Sequence, residues 1–311
     1  MKRSNKVIAI LLLVMVSGVV AKAQLNPSGA QYYVNEYIAN PAHAGNFKGF
    51  RFNGGFRSLW NNFPGSPVSQ SLTGEYGFNK VGLGLNIANE SAGLLRQTRV
   101  VGTYSYRINL DEEGQKLNFG LSGGLMSQRL DQNDVQGNSD DPMIGLYNNR
   151  ETYIDGDFGI AYTSNRLSVQ AAIPNLKSFL KKDLIKLADV PTFYSAISYK
   201  MGLGQGMNAV MLEPKFAYRG VRGLDNLWDL GMQVEVADRL LSFTGIYHST
   251  KNATFGFGID FKKKYLLSGL YSIQTSDFAG YANGNFELNL RISFGQREKE
   301  APKKELVEEK N

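Results

Sequence analysis

The sequence predicts an all-β protein, a transmembrane antiparallel β-barrel of about 14 strands. The clearest sign is Phe286-Glu287-Leu288-Asn289-Leu290-Arg291-Ile292-Ser293-Phe294, where apolar and polar residues alternate without a break and aromatic residues close both ends. Strands have that period of two, so one face is hydrocarbon and the other polar. An aromatic-ended apolar face suits lipid with its two interfaces. The chain also opens with an export signal, and its connections tend to be short and long by turns.

Residues 1–23 read as a secretory signal peptide. Lys2, Arg3 and Lys6 precede an apolar run from Val7 to Val20, and Ala21-Lys22-Ala23 has the form of a cleavage site. The run is short of the roughly 20 apolar residues a spanning helix needs. No Cys follows the site, so lipoprotein processing is not expected. No later apolar run is long enough to span as a helix, and in lipid the remaining solution is a closed sheet. The mean hydropathy of −0.26 is compatible with this, because only one face of each strand is apolar.

Without Lys2, Arg3, Lys6 and Lys22, Lys+Arg falls from 34 to 30 against Asp+Glu 28, a charge of +2, which gives no sign of nucleic-acid binding. With no Cys there is neither a disulfide framework nor thiol chemistry. His43 and His248 are the sole histidines, which excludes a multi-His metal site within one chain. No cofactor is expected. Abundant Gly, Tyr and Phe fit curled strands and interfacial aromatic girdles.

The barrel is placed at residues 49–295. Phe50, Phe52, Phe56 and Trp60 alternate with Arg51, Asn53 and Arg57, and a second strand runs from 68 to 78. Val81, Leu83, Leu85 and Ile87 share a face. Val101, Thr103, Ser105 and Arg107 oppose Gly102, Tyr104, Tyr106 and Ile108, and Leu117, Phe119, Leu121 and Leu125 follow. Later strands are expected around 158–162, 167–173, 193–200, 211–218, 228–236, 240–247, 255–261, 265–273 and 286–294. Even-numbered connections are short (79–80, 111–115, 164–165, 202–206, 237–238, 262–264). Odd ones are generally longer (61–67, 90–95, 131–154, 174–191, 219–226, 274–285), with 249–252 the exception. Short periplasmic turns alternating with longer extracellular loops mark an outer-membrane barrel and place both termini in the periplasm.

The loop at 131–154 carries Asp131, Asp134, Asp140 and Asp141. Its Asp140-Asp141 pair offers carboxylates for Ca²⁺, but the loop lacks the spaced oxygen ligands of a calcium loop, and a solvated acidic loop is the expectation over a calcium site. The loop at 174–191 has helical spacing. It reads either as a helix packed on the rim or as a docking surface, with Leu176, Phe179, Leu180, Lys181, Lys182 and Leu184 as candidate contacts. Residues 24–48, with Tyr32, Tyr33, Tyr37 and Ile38, are too apolar for a free tail and are expected to enter or seal the periplasmic mouth. Residues 296–311 balance acids and bases, as a solvated tail or a handle for a periplasmic partner would.

Catalytic residues are not expected. His248 adjoins Ser249 and Thr250, but neighbouring strand residues point to opposite faces, and His43 has no evident partners. Gly202-Leu203-Gly204-Gln205-Gly206 precedes a strand rather than a helix and reads as a glycine turn. Arg51, Arg57, Arg107 and Arg291 are candidates for the polar lumen face, together with Arg99, balanced by acids such as Glu75 and Asp260.

Asn40-Pro41-Ala42-His43-Ala44-Gly45 resembles the N-P-A-x-A-G segment of the type IX secretion system membrane proteins of the PorP/SprF family. Arg57-Ser58-Leu59-Trp60, Pro67, Gln70-Ser71, Gly82-Leu83-Gly84-Leu85, Gly93 and Tyr104-Ser105-Tyr106-Arg107-Ile108 resemble the family in order. So do Leu117-Asn118-Phe119-Gly120-Leu121, Asp141-Pro142 and Ile173-Pro174-Asn175-Leu176. The resemblance covers nearly the whole chain after the signal. It implies an outer-membrane barrel of a Bacteroidota-type cell that works in gliding motility or protein secretion through the type IX system. Some members connect to periplasmic, peptidoglycan-linked ring components, and others accept the carboxy-terminal domain of a secreted adhesin. Asn40, Pro41, Ala42, Gly45, Arg57 and Trp60 would then be structural, with Pro41 and Gly45 shaping the leading segment and Trp60 at the outer interface. A small-solute channel and a purely structural barrel are the alternatives.

Overall fold

The structure is a computed structural model and describes residues 29–59, 65–131, 152–177, 191–204, 209–221, 226–274 and 284–296. The strands are β1 (Lys48–Ser58), β2 (Val68–Phe78), β3 (Val81–Ala92), β4 (Leu95–Asn109), β5 (Lys116–Leu130), β6 (Tyr153–Thr163), β7 (Leu167–Ile173) and β8 (Pro191–Tyr199). They continue with β9 (Met201–Leu203), β10 (Val210–Val221), β11 (Leu227–Val236), β12 (Leu241–His248), β13 (Asn252–Phe261), β14 (Tyr265–Gln274) and β15 (Asn285–Gln296). Each pairs antiparallel with its neighbours, and β15 pairs with β1 from Lys48↔Gln296 to Ser58↔Phe286, which closes the sheet. β8 and β9 lie end to end along β10, so the barrel has 14 strand positions. The break between them falls opposite Pro214, whose missing N–H removes a rung from the ladder.

Period-two alternation decides what each face meets. In β15, Glu287, Asn289 and Ser293 are buried, whereas Leu288, Leu290 and Phe294 are exposed. Glu287 is 1% accessible and Leu290 is 47%. The same inversion runs round the ring: most buried side chains in the strands are polar, and most large exposed ones are Leu, Ile, Phe or Tyr. A water-soluble protein has the reverse; an outer-membrane barrel has this. Phe50, Tyr76 and Phe78 form an outward aromatic stack, with centroids 4.4 and 5.4 Å apart. Trp228 and Tyr247 form another near the opposite rim.

One rim carries the tight turns. They take a left-handed backbone, at Asn79 (φ 45°), a residue that tolerates it, between β2 and β3, and at Lys262 and Lys263 (φ 54° and 55°), on which the tight turn imposes it, between β13 and β14. The start of β1 and the end of β15 share this rim. The opposite rim carries the longer connections, with two exceptions. β12 and β13 are joined tightly at 249–251, as expected. The connection expected at 90–95 is shorter than the pattern suggested. β3 runs to Ala92 and β4 starts at Leu95, because cross-strand pairing of Glu90↔Gln97 and Ser91↔Arg96 carries the ladder through polar residues that read as loop.

Candidate functional site

The lumen is occupied by the chain's own leading segment. It comprises a single helical turn, α1 (Gln31–Val34), and two 3-10 turns, Glu36–Ile38 and Pro41–His43. Gly29 lies against Arg57 and Glu287, next to the long-loop ends of β1 and β15, and Phe47 reaches Gly77 at the short-turn end of β2. The segment therefore runs the depth of the lumen instead of sitting at one mouth.

Its second half is seated on glycine. Gly120 and Gly159 are register partners on β5 and β6. A Cβ at Gly120 would overlap the backbone of Pro41 and Ala42, and one at Gly159 would overlap the Asn40 side chain. Gly77 and Gly82 are partners on β2 and β3, and a Cβ at either would overlap the carbonyl of Gly45 or Ala44. Two glycine pairs thus give the two ends of Asn40-Pro41-Ala42-His43-Ala44-Gly45 room to lie backbone to backbone on the wall. Composition counted these glycines as relief for curled strands and did not show which of them face a plug.

Hydrogen bonds then fix the register. Asn40 Oδ1 accepts from the Ala42 amide (2.9 Å), capping the second 3-10 turn, while its Nδ2 donates to Gln170 Oε1 (3.1 Å). Pro41 opens that turn, where its missing N–H costs nothing. Gly45 takes φ +64° and donates its amide to Glu75 (2.9 Å), and Ser105 donates to the Ala44 carbonyl (2.6 Å). His43 contacts Gln170 Oε1 through Nε2 (3.0 Å) and Asn46 Nδ2 through Nδ1 (2.8 Å). That geometry suits the neutral tautomer with the proton on Nε2. Burial pushes the His43 imidazole below its ordinary value, against the opposing pull of Glu36.

The first half is held by side-chain tips and a small apolar patch. The Ala30 amide lies 2.9 Å from Glu287 Oε1 and 3.2 Å from Oε2. Tyr32 and Tyr33 pack on Tyr194, Ala196, Ala217 and Ile246, an apolar island in a polar lumen. The Tyr32 hydroxyl donates to Asp229, Tyr33 donates to the Lys215 carbonyl (3.1 Å), and Tyr37 pairs with Thr103 (2.7 Å). Asp229 is a hub. It also pairs with Arg219 and with His248 Nδ1 (2.7 Å), and His248 Nε2 reaches Thr254 Oγ1 (2.7 Å), which meets Ser272 (2.6 Å). A carboxylate–imidazole–hydroxyl chain has the connectivity of a nucleophile relay. Here every member is buried and shared with another, and the chain ties Tyr32 to five strands. His248 and His43, which the sequence left without partners, are thus well connected. The signal missed was the shared inward parity of Asp229, His248 and Thr254 on neighbouring strands.

Towards the short-turn rim a cavity of about 310 Å³ remains beside the plug. Lys215 Nζ bonds Glu36 (2.8 Å) and approaches Glu213 (3.9 Å), Lys200 pairs with Glu213 (3.7 Å), and Arg291 pairs with Asp260 (3.2 Å). Burial alone would raise the Glu36 carboxyl, but Lys215, with Lys200 adding to it, holds it well below the ordinary range. Both charge signs are present and largely paired, so the cavity has no strong field of one sign to draw an ion through.

Of the candidate lumen arginines, Arg51 and Arg291 line this cavity. Arg57 and Arg107 are buried on the inner face, Arg107 donating to the Val81 carbonyl (2.8 Å). Arg51 stacks over Phe47 at 4.6 Å. Asn40, Pro41, Ala42 and Gly45 meet in the plug. Trp60, the candidate docking residues Phe179, Leu180, Lys181, Lys182 and Leu184, and the acidic residues Asp134, Asp140 and Asp141 lie outside the described residues. Leu176 is described and has a helical backbone. Among the described residues no group of three or more acidic, His or Cys side chains converges to hold a metal.

A family described as "Type IX secretion system membrane protein PorP/SprF" matches residues 21–292. No curated protein matches the chain. Among solved structures, the Ralstonia pickettii toluene transporter TbuX aligns with a TM-score of 0.51 at 11% identity, covering 83% of this chain and 92% of that one. The Acinetobacter baumannii outer membrane protein Omp33 aligns with a TM-score of 0.47 at 9% identity, covering 80% of this chain and 100% of that one. At such identities the TbuX likeness speaks for the fold alone.

Proposed function

The chain belongs to the PorP/SprF family of type IX secretion system membrane proteins, and from that membership we propose that it is a sealed outer-membrane barrel that works by docking proteins. Its long-loop rim faces outward and receives the carboxy-terminal domain of a secreted adhesin. Its short-turn rim, with both strand ends and residues 297–311, faces the periplasm and the secretion ring. The observation that carries the reading is the plug seated on paired wall glycines. A wall shaped to its own leading segment in several strands suits a barrel whose surfaces act and whose lumen does not conduct.

The test is purification from native outer membranes in mild detergent, with and without residues 297–311, followed by mass spectrometry. Recovery of a large surface protein by its carboxy-terminal domain supports an adhesin dock. Recovery of periplasmic ring and peptidoglycan-binding proteins that is lost on truncation supports a link to the core machinery. A bare barrel in both forms, with steady ion conductance in a planar bilayer, would overturn docking in favour of a small-solute channel, the reading that the cavity beside the plug favours.

A further inference from the structure

β6 outruns β7 at the long-loop rim. It pairs with β5 from Tyr153 onward, but with β7 only from Phe158, opposite Ile173. Asp155 and Asp157 fall in the overhang, two residues apart and so on one face, and both are turned inward and buried. The chain leaving β7 folds back onto that face. Asn175 takes φ +55° and donates its amide to Asp157 Oδ1 (3.0 Å). Lys177 donates its amide to Asp155 Oδ1 (2.9 Å), and its ammonium lies 4.5 Å from the centre of the Tyr153 ring.

The two carboxylates differ in what sustains them. Asp157 is neutralised by Arg99, whose Nη2 lies 2.6 Å from both oxygens. Asp155 takes the amides of Gly156 (2.7 Å) and Lys177 on one oxygen, and its Oδ2 has no hydrogen-bond partner among the described residues. Among the described residues Asp155 bonds main-chain amides and no side chain of the wall, so it does little to hold the wall together. It is a good device for gripping passing main chain, because a charged acceptor makes a short, directional bond to an amide.

We infer that Asp155 and Asp157 are positioning residues: a clamp on the inner wall that holds the chain leaving β7 turned inward at Asn175 and Lys177. The inference rests on the proposed function in one respect only, namely that this rim is where a protein docks.

The test uses full-length protein in native outer-membrane vesicles. Lys181 and Lys182 supply trypsin sites four and five residues beyond the clamp. Cleavage at these sites in Asp155→Ala is expected about ten-fold faster than in the parent. Asp155→Asn, which keeps an acceptor oxygen but loses the charge, is expected to fall between the two. Folding is checked independently by the heat-dependent gel shift of the barrel, expected unchanged in both. Equal cleavage rates in the parent and Asp155→Ala would overturn the clamp, and so would equal acceleration in Ala and Asn variants. Recovery of a protein partner is scored separately. If cleavage behaves as expected and no partner is recovered by any form, the clamp stands and docking falls.

Discussion

Gly120→Ala is the sharpest probe of the plug's seat. The added methyl would overlap the Pro41 carbonyl carbon and the Ala42 nitrogen, both main-chain atoms. Neither side can give easily. The wall at Gly120 is laddered to Ser105 and Gly159, and Pro41 is fixed by the Asn40 cap and the His43 and Asn40 bonds to Gln170. Overpacking of this kind costs about 1–3 kcal/mol. If the strain is relieved by unseating the plug, the unseated fraction rises about five- to hundred-fold, at ~1.4 kcal/mol per decade. The chain has no cysteine, so a single introduced thiol reports on accessibility. Ser105 is the natural position, fully buried beneath the Ala44 carbonyl. Maleimide should label Ser105→Cys slowly alone and at least five-fold faster with Gly120→Ala. Gly123→Ala, on the same strand with nothing within 4 Å of its added methyl, is the control and should leave the rate unchanged. An unchanged rate in Gly120→Ala, with the barrel still folded, would refute the claim that these glycines exist to seat the plug.

Other expectations follow from the same contacts. Removing residues 29–47 should give steady conductance in a planar bilayer, and the intact chain should give none. Tyr32→Phe removes the donor to Asp229 but keeps the ring on Tyr194. It should cost about 1–3 kcal/mol locally and speed labelling of an Ala196→Cys reporter, with little change in barrel melting. Seating should weaken as pH falls below the usual histidine value of 6.5. His43 is held below that value in the folded state, so the unfolded state binds more protons there and stability drops with pH. Glu36, held low, stays ionised throughout that window and adds nothing to the slope. The heat-dependent gel shift should therefore move to lower temperature between pH 7.5 and 5.5, and His43→Gln should flatten the change.

The barrel was legible because its period is local. Glu287, Leu288, Asn289 and Leu290 announce two faces by themselves, and only lipid outside and a polar lumen inside satisfy both. Connection lengths gave the rims for the same reason, apart from 93–94, where polar cross-strand pairs extended β3 and β4 past the point at which the apolar pattern stops. The plug was half legible. Tyr32, Tyr33 and Tyr37 marked residues 24–48 as unable to float free, but not how far they reach. That depth depends on contacts across more than a hundred residues, such as Tyr32 with Asp229 and Asn40 with Gln170. Alternation puts Gly82 and Gly120 on the polar face and Gly123 on the apolar one, but it could not show that a plug lies against the first two. The partners of His248 were not legible because they lie on adjoining strands and not beside it in sequence.

The plug also bears on how the ring is assembled. The strands that cradle Asn40 to Gly45, from β2 to β7, follow it directly in the chain. The strands that grip Ala30, Tyr32 and Tyr33 are β10, β11 and β15, and β15 also forms the closing seam with β1. The leading segment can thus bed down on a half-built, open sheet and serve as a mandrel. In that order the late strands would close round it, with Glu287 of β15 holding Ala30 beside the seam. On this view a plug mutation shows first as slow maturation in the membrane and only afterwards as a leak.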